Sequence, residues 1–279
     1  MPPNAVMRKN PKILFISQEI YPYLTESNSR TKLSRMLPQY AQASGFETRT
    51  FMPKFSEINE RRNQLHEVIR LSGMNIIIDD TDHQLIIKVA SIPEARIQVY
   101  FIDNEEFFHR HSSGKNDNDG KLKDNAERSI FYVRGSLETI EKLRWTPDII
   151  VCQGWLASVA PLYIKTAYHD NPFFRDAVVI TRLDDNIHFE PYADNFGDIV
   201  LLDGITREDV KQVAGKKVDY ASLTKLALQY SDAVIFDTPF IEQEVKDYAL
   251  ASGKPILDGT ASEDVKTHYL DFFRSLLGD

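Results

Sequence analysis

One cysteine, Cys152, is all that the 279 residues contain, so no disulfide can form within the chain and a reducing compartment fits. With no histidine partner in the nearby sequence, Cys152 reads as a buried small residue and not as a nucleophile. No apolar stretch approaches the roughly 20 residues that a helix needs to span a bilayer. The opening residues MPPNAVMRKNPK also lack the apolar core of a signal peptide. A cytoplasmic protein with no membrane partner is therefore expected. Long runs of Lys and Arg are missing too, and 33 basic against 41 acidic residues give a formal net charge of -8. Nucleic acid and anionic membranes need a basic face that displaces counterions, so neither is an expected partner. Glycine is absent from QEIYPYLTESNSRTK, residues 18 to 32, which follow the first apolar run. In a nucleotide-binding α/β domain that turn is where glycines let the backbone approach a phosphate.

What is present is ordinary for a globular domain, with 42% hydrophobic and 27% charged residues. Short apolar runs alternate with longer helical patterns, which predicts parallel strands covered on both faces. KILFIS at 12 to 17 is the first strand. A helix is predicted over about 29 to 44, with Leu33, Met36, Leu37 and Tyr40 on one face and Gly45 as its stop. ETRTFMP follows as a strand. From 75 to 103, NIIID, QLIIKVASI and RIQVYFID are joined by the short links DTDH and PEA, too brief for parallel crossovers. An antiparallel excursion is expected there. The polar stretch 110 to 124 reads as a mobile loop. After it come a long helix with Ile130, Phe131, Leu137, Ile140 and Leu143 at helical spacing, the strand PDIIVCQ, a helix over WLASVAPLYIKTAY, and the strands DAVVITRL and SDAVIFDTP. SEDVKTHYLDFFRSLLG reads as a closing amphipathic helix. The fold expected from this pattern is α/β and Rossmann-like, a doubly wound, mostly parallel sheet with one antiparallel excursion.

Several residue clusters allow more than one reading. Trp155 follows a strand end, where an indole can stack on a sugar ring or cap the core. Gln153 and Arg182, at neighbouring strand ends, can bond sugar hydroxyls, or Arg182 can pair with Asp184 or Asp185. Asp79, Asp80, Asp82 and His83, like His109 and His111, have metal-ligand chemistry, but DDTDH reads as a solvated turn and HRH as the start of a loop. Arg61, Arg62 and Arg70 read as a solvated helix face, with a partner or a sugar phosphate as the alternative.

The segments KILFISQEIYP, GFETRTFMP, DNAERSIFYVRGSLE, WTPDIIVCQGWLASVAPLYI and LALQYSDAVIFDTPFIEQEV occur in one order and spacing between about residues 12 and 247. In that order they resemble the N-terminal half of bacterial glycogen and starch synthases. The resemblance implies one lobe of a two-lobed, retaining glycosyltransferase that moves glucose from ADP-glucose to the 4-hydroxyl of an α-glucan. In the family the donor sits mainly on the C-terminal lobe and the glucan lies largely against the N-terminal one. Two lobes of roughly 150 to 250 residues each exceed 279 residues, so a single domain over 1 to 279 is expected, with its core at about 12 to 247, a helical tail at about 260 to 277, and no donor lobe.

Where the resembled enzymes carry Lys-Thr-Gly-Gly after the first strand, this chain has Thr25, Glu26, Ser27 and Asn28, with slightly longer spacing to Pro38, so that Thr25 or Glu26 replaces the lysine, and Glu26 would repel a diphosphate. Where they carry His-x-His-Asp-Trp-His, it has Val151, Cys152, Gln153, Gly154, Trp155 and Leu156. Thr-Ile-His-Asn becomes Ile180, Thr181, Arg182 and Leu183. Glu19, Pro22, Trp155 and the Asp124-Asn125 pair still match. The resemblance thus implies a glucan cleft of Glu19, Tyr21, Asp124, Asn125, Gln153, Trp155 and Arg182 beside a degenerate phosphate loop, with no catalytic residue, no cofactor and no metal. Each lost stabiliser of the leaving charge costs roughly 100 to 1000-fold in rate. The expected function is α-glucan (maltooligosaccharide) binding, or binding of a full-length synthase or another protein, with weak or no transfer by the chain alone. Two alternatives stay open: a glucosyltransferase completed by another chain, and an interaction module with no carbohydrate ligand.

Overall fold

In the computed structural model, residues 10–24, 28–109, 124–184 and 189–278 are described. Residues 110 to 123 of the expected loop at 110 to 124, the residues Thr25, Glu26 and Ser27, and Asp185 lie outside them.

The apolar runs become strands and the 3.6-periodic stretches become helices. The first half holds β1 (Lys12–Ser17), α1 (Ser29–Ala43), β2 (Glu47–Pro53), β3 (His66–Glu67), β4 (Met74–Ile78), β5 (Thr81–Ile92), β6 (Ile97–Asp103) and α2 (Glu105–Phe108). The second half holds α3 (Asn125–Lys142), β7 (Ile149–Gln153), α4 (Ala160–Lys165), β8 (Val178–Leu183), α5 (Phe196–Ile199), α6 (Tyr220–Tyr230), β9 (Ala233–Phe236), α7 (Gln243–Ala251), β10 (Ile256–Asp258) and α8 (Val265–Leu277). The strands lie in the order β10-β9-β8-β7-β1-β2-β6-β5-β3, with β4 on β5. All neighbours from β10 to β6 run parallel, whereas β5 pairs antiparallel with β6, β3 and β4. The antiparallel excursion is thus real, and it is stitched into the main sheet because β6 also pairs parallel with β2. Chain order reverses across β1, which has β2 on one side and β7 on the other. Open α/β sheets hold their ligands outside the carboxyl ends at such a switch.

Local chemistry explains the element ends. Asn28 and Thr31 form a reciprocal cap on α1: Thr31 N donates to Asn28 Oδ1 at 2.8 Å, and Asn28 N donates to Thr31 Oγ1 at 3.2 Å. Asp79 and Asp80, with φ of 46° and 59°, form the two-residue link between β4 and β5. The expected DTDH link is therefore too long, since Thr81, Asp82 and His83 already belong to β5.

Three other expectations need correction. The buried face of α1 is Thr31, Ser34, Leu37, Pro38 and Ala41. Small residues let the helix approach the sheet closely, while Leu33 and Tyr40 pack half-buried into the cluster that α8 completes with Tyr269, Leu270 and Phe273. The segment with Arg61, Arg62 and Arg70 is not a helix but a run of turns with the short β3 inside it. WLASVAPLYIKTAY is also not one helix: a 3-10 turn at Trp155–Ala157 precedes α4, and Pro161 stands in the first turn of α4.

The main core lies between α3 and the sheet, where Tyr132 donates to Ser17 O at 2.8 Å and so ties α3 to the end of β1. Cys152 is buried in β7 and burial pushes its thiol far up, so it is not poised as a nucleophile. Among the described residues, no helix is long and apolar enough to cross a membrane.

Candidate functional site

Four parallel strands, β1, β7, β8 and β9, end in polar residues or lead directly into them at the carboxyl edge of the sheet. Beyond β1, Gln18 and Glu19 are buried. The Gln18 backbone N–H donates to Gln153 O at 3.1 Å, and its side-chain Oε1 accepts from Leu156 N at 3.2 Å. Glu19 accepts from Arg30 Nη2 at 2.9 Å, and Arg30 Nε lies 3.9 Å from Asp184 Oδ2. Gln153 Nε2 donates to the same Asp184 oxygen in a short contact. Arg182 puts Nε and Nη2 on Asp237 Oδ2 at 2.7 and 2.6 Å. Asp237 Oδ1 accepts from Tyr269 of α8 at 2.6 Å.

These groups border a cleft of about 240 Å3, lined by Ser29, Arg30, Leu33, Asp184, Asp237 and Phe240 among others. Phe240 is 81% exposed, an unusual position for a phenyl ring beside a polar cleft. The cleft holds the carboxyls of Asp184 and Asp237 and the Arg30 guanidinium, with Glu19 and Arg182 behind them. Burial raises the Asp184 carboxyl to about 7; the Arg30 charge and the Gln153 hydrogen bond oppose that rise.

Gly154 sets the β7 end. Its φ of 85° is in the left-handed region, and a Cβ there would lie 2.5 Å from Gln18 Cβ. Gly154→Ala is expected to cost about 1 to 3 kcal/mol from the backbone alone, and urea unfolding checks it.

The sequence-predicted residues divide into three groups. Glu19, Gln153 and Arg182 come together behind the cleft, but Gln153 and Arg182 are buried at 1% and 2% exposure and act on it through Asp184 and Asp237. Arg182 pairs with Asp237 and not with Asp184. Asp237 lies one residue past the Leu183 and Phe236 partners of the parallel β8–β9 register, while Asp184 turns toward Gln153 and Arg30.

Trp155, Asp124 and Asn125 form the second group. The Trp155 indole is 4% exposed, packed edge-on against Phe189 and Tyr192 with the Arg128 guanidinium 6.0 Å from its centre. This is the core-capping arrangement. Asn125 Oδ1 accepts from Arg128 Nη1 at 2.9 Å, and Asp124 stands at the N-cap of α3 without a side-chain cap. Tyr21 makes the third group, against Arg35 and lining a separate groove of about 320 Å3 with Tyr23, Asn59 and Arg62. Of the degenerate phosphate loop, Asn28 caps α1; the other three residues lie outside the described ones.

Among the described residues, no three His, Cys, Asp or Glu side chains are placed to hold a metal. His83 bonds Glu106 at 2.9 Å and stacks on Phe107, and His109 lies 3.3 Å from Asp103. Sequence reasoning missed Arg30, Asp237, Tyr269 and Phe240. One signal for Asp237 was available, because it follows VIF at a parallel strand end just as Gln153 closes IIVCQ.

Comparison with known proteins bears on the fold and the family. Residues 12–259 match the family model described as the starch synthase catalytic domain. The glycogen synthase of Chlorobium phaeovibrioides is 40% identical over 239 residues, which is 85% of this chain and 48% of that protein. That of Chlorobium limicola is 40% identical over 174 residues, 62% of this chain and 35% of the other. The chain thus spans about half, or less, of the length of these relatives. Among solved structures, the catalytic domain of starch synthase IV from Arabidopsis thaliana, bound to ADP and acarbose, superposes with a TM-score of 0.65 at 15% identity. The match covers 81% of this chain and 44% of that one.

Proposed function

The chain belongs to the starch synthase catalytic-domain family, a glycogen/starch synthase-like glycosyltransferase domain, and on that premise we propose that it binds α-glucan at the strand-end cleft and does not by itself transfer glucose. The carrying observation is the commitment of the cleft's cations. Arg30 is held by Glu19 and Asp184, and Arg182 by Asp237, so a diphosphate would meet carboxylates before any guanidinium it could claim. The turn after β1 has Thr25 or Glu26 where the resembled enzymes have a phosphate-binding lysine.

The same groups suit a sugar. Carboxylates and the Ser29 hydroxyl accept from or donate to ring hydroxyls, and Leu33 and Phe240 offer apolar surface to the faces of a pyranose. Glu19, Gln153 and Arg182 then act as the supporting layer that fixes Asp184 and Asp237. Trp155, Asp124 and Asn125 support the neighbouring wall, and Tyr21 extends the polar surface beyond the turn.

Calorimetry with maltooligosaccharides of several lengths is expected to give saturable heat at millimolar ligand. Phe240→Ala should weaken binding about 2- to 10-fold, the worth of one ring contact. Silence at every chain length would sink the glucan reading. Labelled ADP-glucose incubated with glycogen and the chain alone should leave no label in the polymer; incorporation would overturn the second half of the proposal.

A further inference from the structure

Away from the strand ends, a groove of about 640 Å3 lies between the β4–β5 hairpin tip, α3 and the stretch that follows α5. Its floor is aliphatic, with Ile199 and Ile205 nearly buried and Ile77 56% exposed at its edge. Its rim is acidic. Asp79, Asp80 and Asp203 line it without an ion pair among the described residues, and Asp198 is already held by Arg207. Among the described residues, Arg134 is the one cation that lines the groove, and it donates to Ile77 O. This surface suits an apolar knob flanked by cations.

The chain carries such a knob at the other end of β4. Ile69 is 83% exposed on a tight turn closed by Leu71 N donating to Val68 O at 2.9 Å. Arg70 beside it, and Arg61 in the preceding turn, are exposed and carry no ion pair among the described residues. Among the described residues, nothing gives this exposed isoleucine beside Arg70 a packing role. The five residues of β4 separate knob from groove by about 16 Å at 3.3 Å per residue, so one chain cannot fill its own groove.

We infer that the Ile69–Arg70 corner of one copy docks into the acidic groove of a second copy, with Ile69 on the aliphatic floor and the arginines against Asp79, Asp80 and Asp203. Such a contact joins two different patches. It is heterologous, and every open assembly it builds has a groove free at one end and a knob free at the other. Its electrostatic part is screened by salt, and its apolar part is not.

Sedimentation velocity on the full chain, from micromolar to submillimolar concentration, tests this. Association is expected to rise with concentration, to continue past the dimer and to weaken at high salt. Ile69→Asp spoils the knob and Ile77→Lys spoils the groove; both positions are exposed, so folding should survive, and circular dichroism verifies it. Each variant alone should associate at least tenfold more weakly than the parent. An equimolar mixture of the two should form dimers and stop there, because one intact knob meets one intact groove and the remaining surfaces are both spoiled. A parent chain that stays monomeric throughout, a parent that stops at a dimer, or a mixture that stays monomeric would each overturn the inference.

Discussion

Replacing Arg182 by leucine is expected to lower the unfolding free energy by about 3 to 5 kcal/mol, because it strands a buried carboxylate. The Asp237 side chain is 3% exposed and takes two short contacts from Arg182, on Nε and Nη2. Without them, among the described residues only the Tyr269 hydroxyl remains, and that is one hydrogen bond for a charge in a water-poor site. The intact pair need not be strongly stabilising, since desolvation of both ions offsets much of their attraction. The expected signature is therefore asymmetry. Arg182→Leu combined with Asp237→Asn should be more stable than Arg182→Leu alone, although it carries one more substitution. Urea unfolding of the parent, both single variants and the double variant gives the coupling free energy. A loss under about 1 kcal/mol for Arg182→Leu would mean that water reaches Asp237 freely. It would also remove the support proposed for the cleft.

This pair shows where a sequence stops being informative. The strands β1, β2, β7, β8 and β9 were legible because continuous apolar runs of strand length admit few other fates. The three runs after residue 74 were legible as antiparallel because their links are too short to cross over. The register between β8 and β9 was not legible. Arg182 has two acids within three residues of it in sequence, yet its partner is Asp237, 55 positions away, because parallel pairing sets strand ends side by side. Trp155 failed to declare itself for a related reason. An indole after a strand end can face outward or inward, and only Phe189 and Tyr192, from a stretch with no periodic signal, decide that it faces inward. β10 was hidden in GKPILDG, whose three-residue strand is too short to show a period. Charge fared worst: Arg61 and Arg70 fit a helix face on composition, and the turns that expose them come from tertiary pairing of β3 with β5.

Raising the pH from about 4 to about 8 is expected to destabilise the fold through Asp184, and Asp184→Asn should remove that part of the profile. Burial lifts the Asp184 carboxyl from 3.8 to about 7, against the pull of Arg30 and Gln153, and the nearby Asp237 adds to the rise. Below the ordinary value both the folded and the unfolded chain hold the proton, and the group contributes nothing. Between the two values the unfolded chain releases its proton while the folded chain keeps it, so unfolding becomes easier with each step up in pH. Above the folded value both states are ionised and the penalty is complete, at up to about 4 kcal/mol for a shift of this size. The buried or half-buried Glu127, Glu141 and Glu242, also raised by burial, act in the same direction, so the parent profile alone does not isolate Asp184. Asp209, Asp219, Asp258 and Asp264 are lowered by hydrogen bonds, and their contribution disappears only as the pH falls through still lower values. Asparagine keeps an oxygen for Gln153 Nε2 and cannot ionise, so the difference between parent and variant is the Asp184 titration itself. Urea unfolding of both proteins across this window should give curves that converge at the acid end and separate by several kcal/mol at the alkaline end, with the variant more stable. Parallel curves would show that water or a shift of Arg30 toward Asp184 solvates the carboxylate. The cleft would then carry a full negative charge at neutral pH, and the Asp184 carboxylate could only accept from a sugar hydroxyl there.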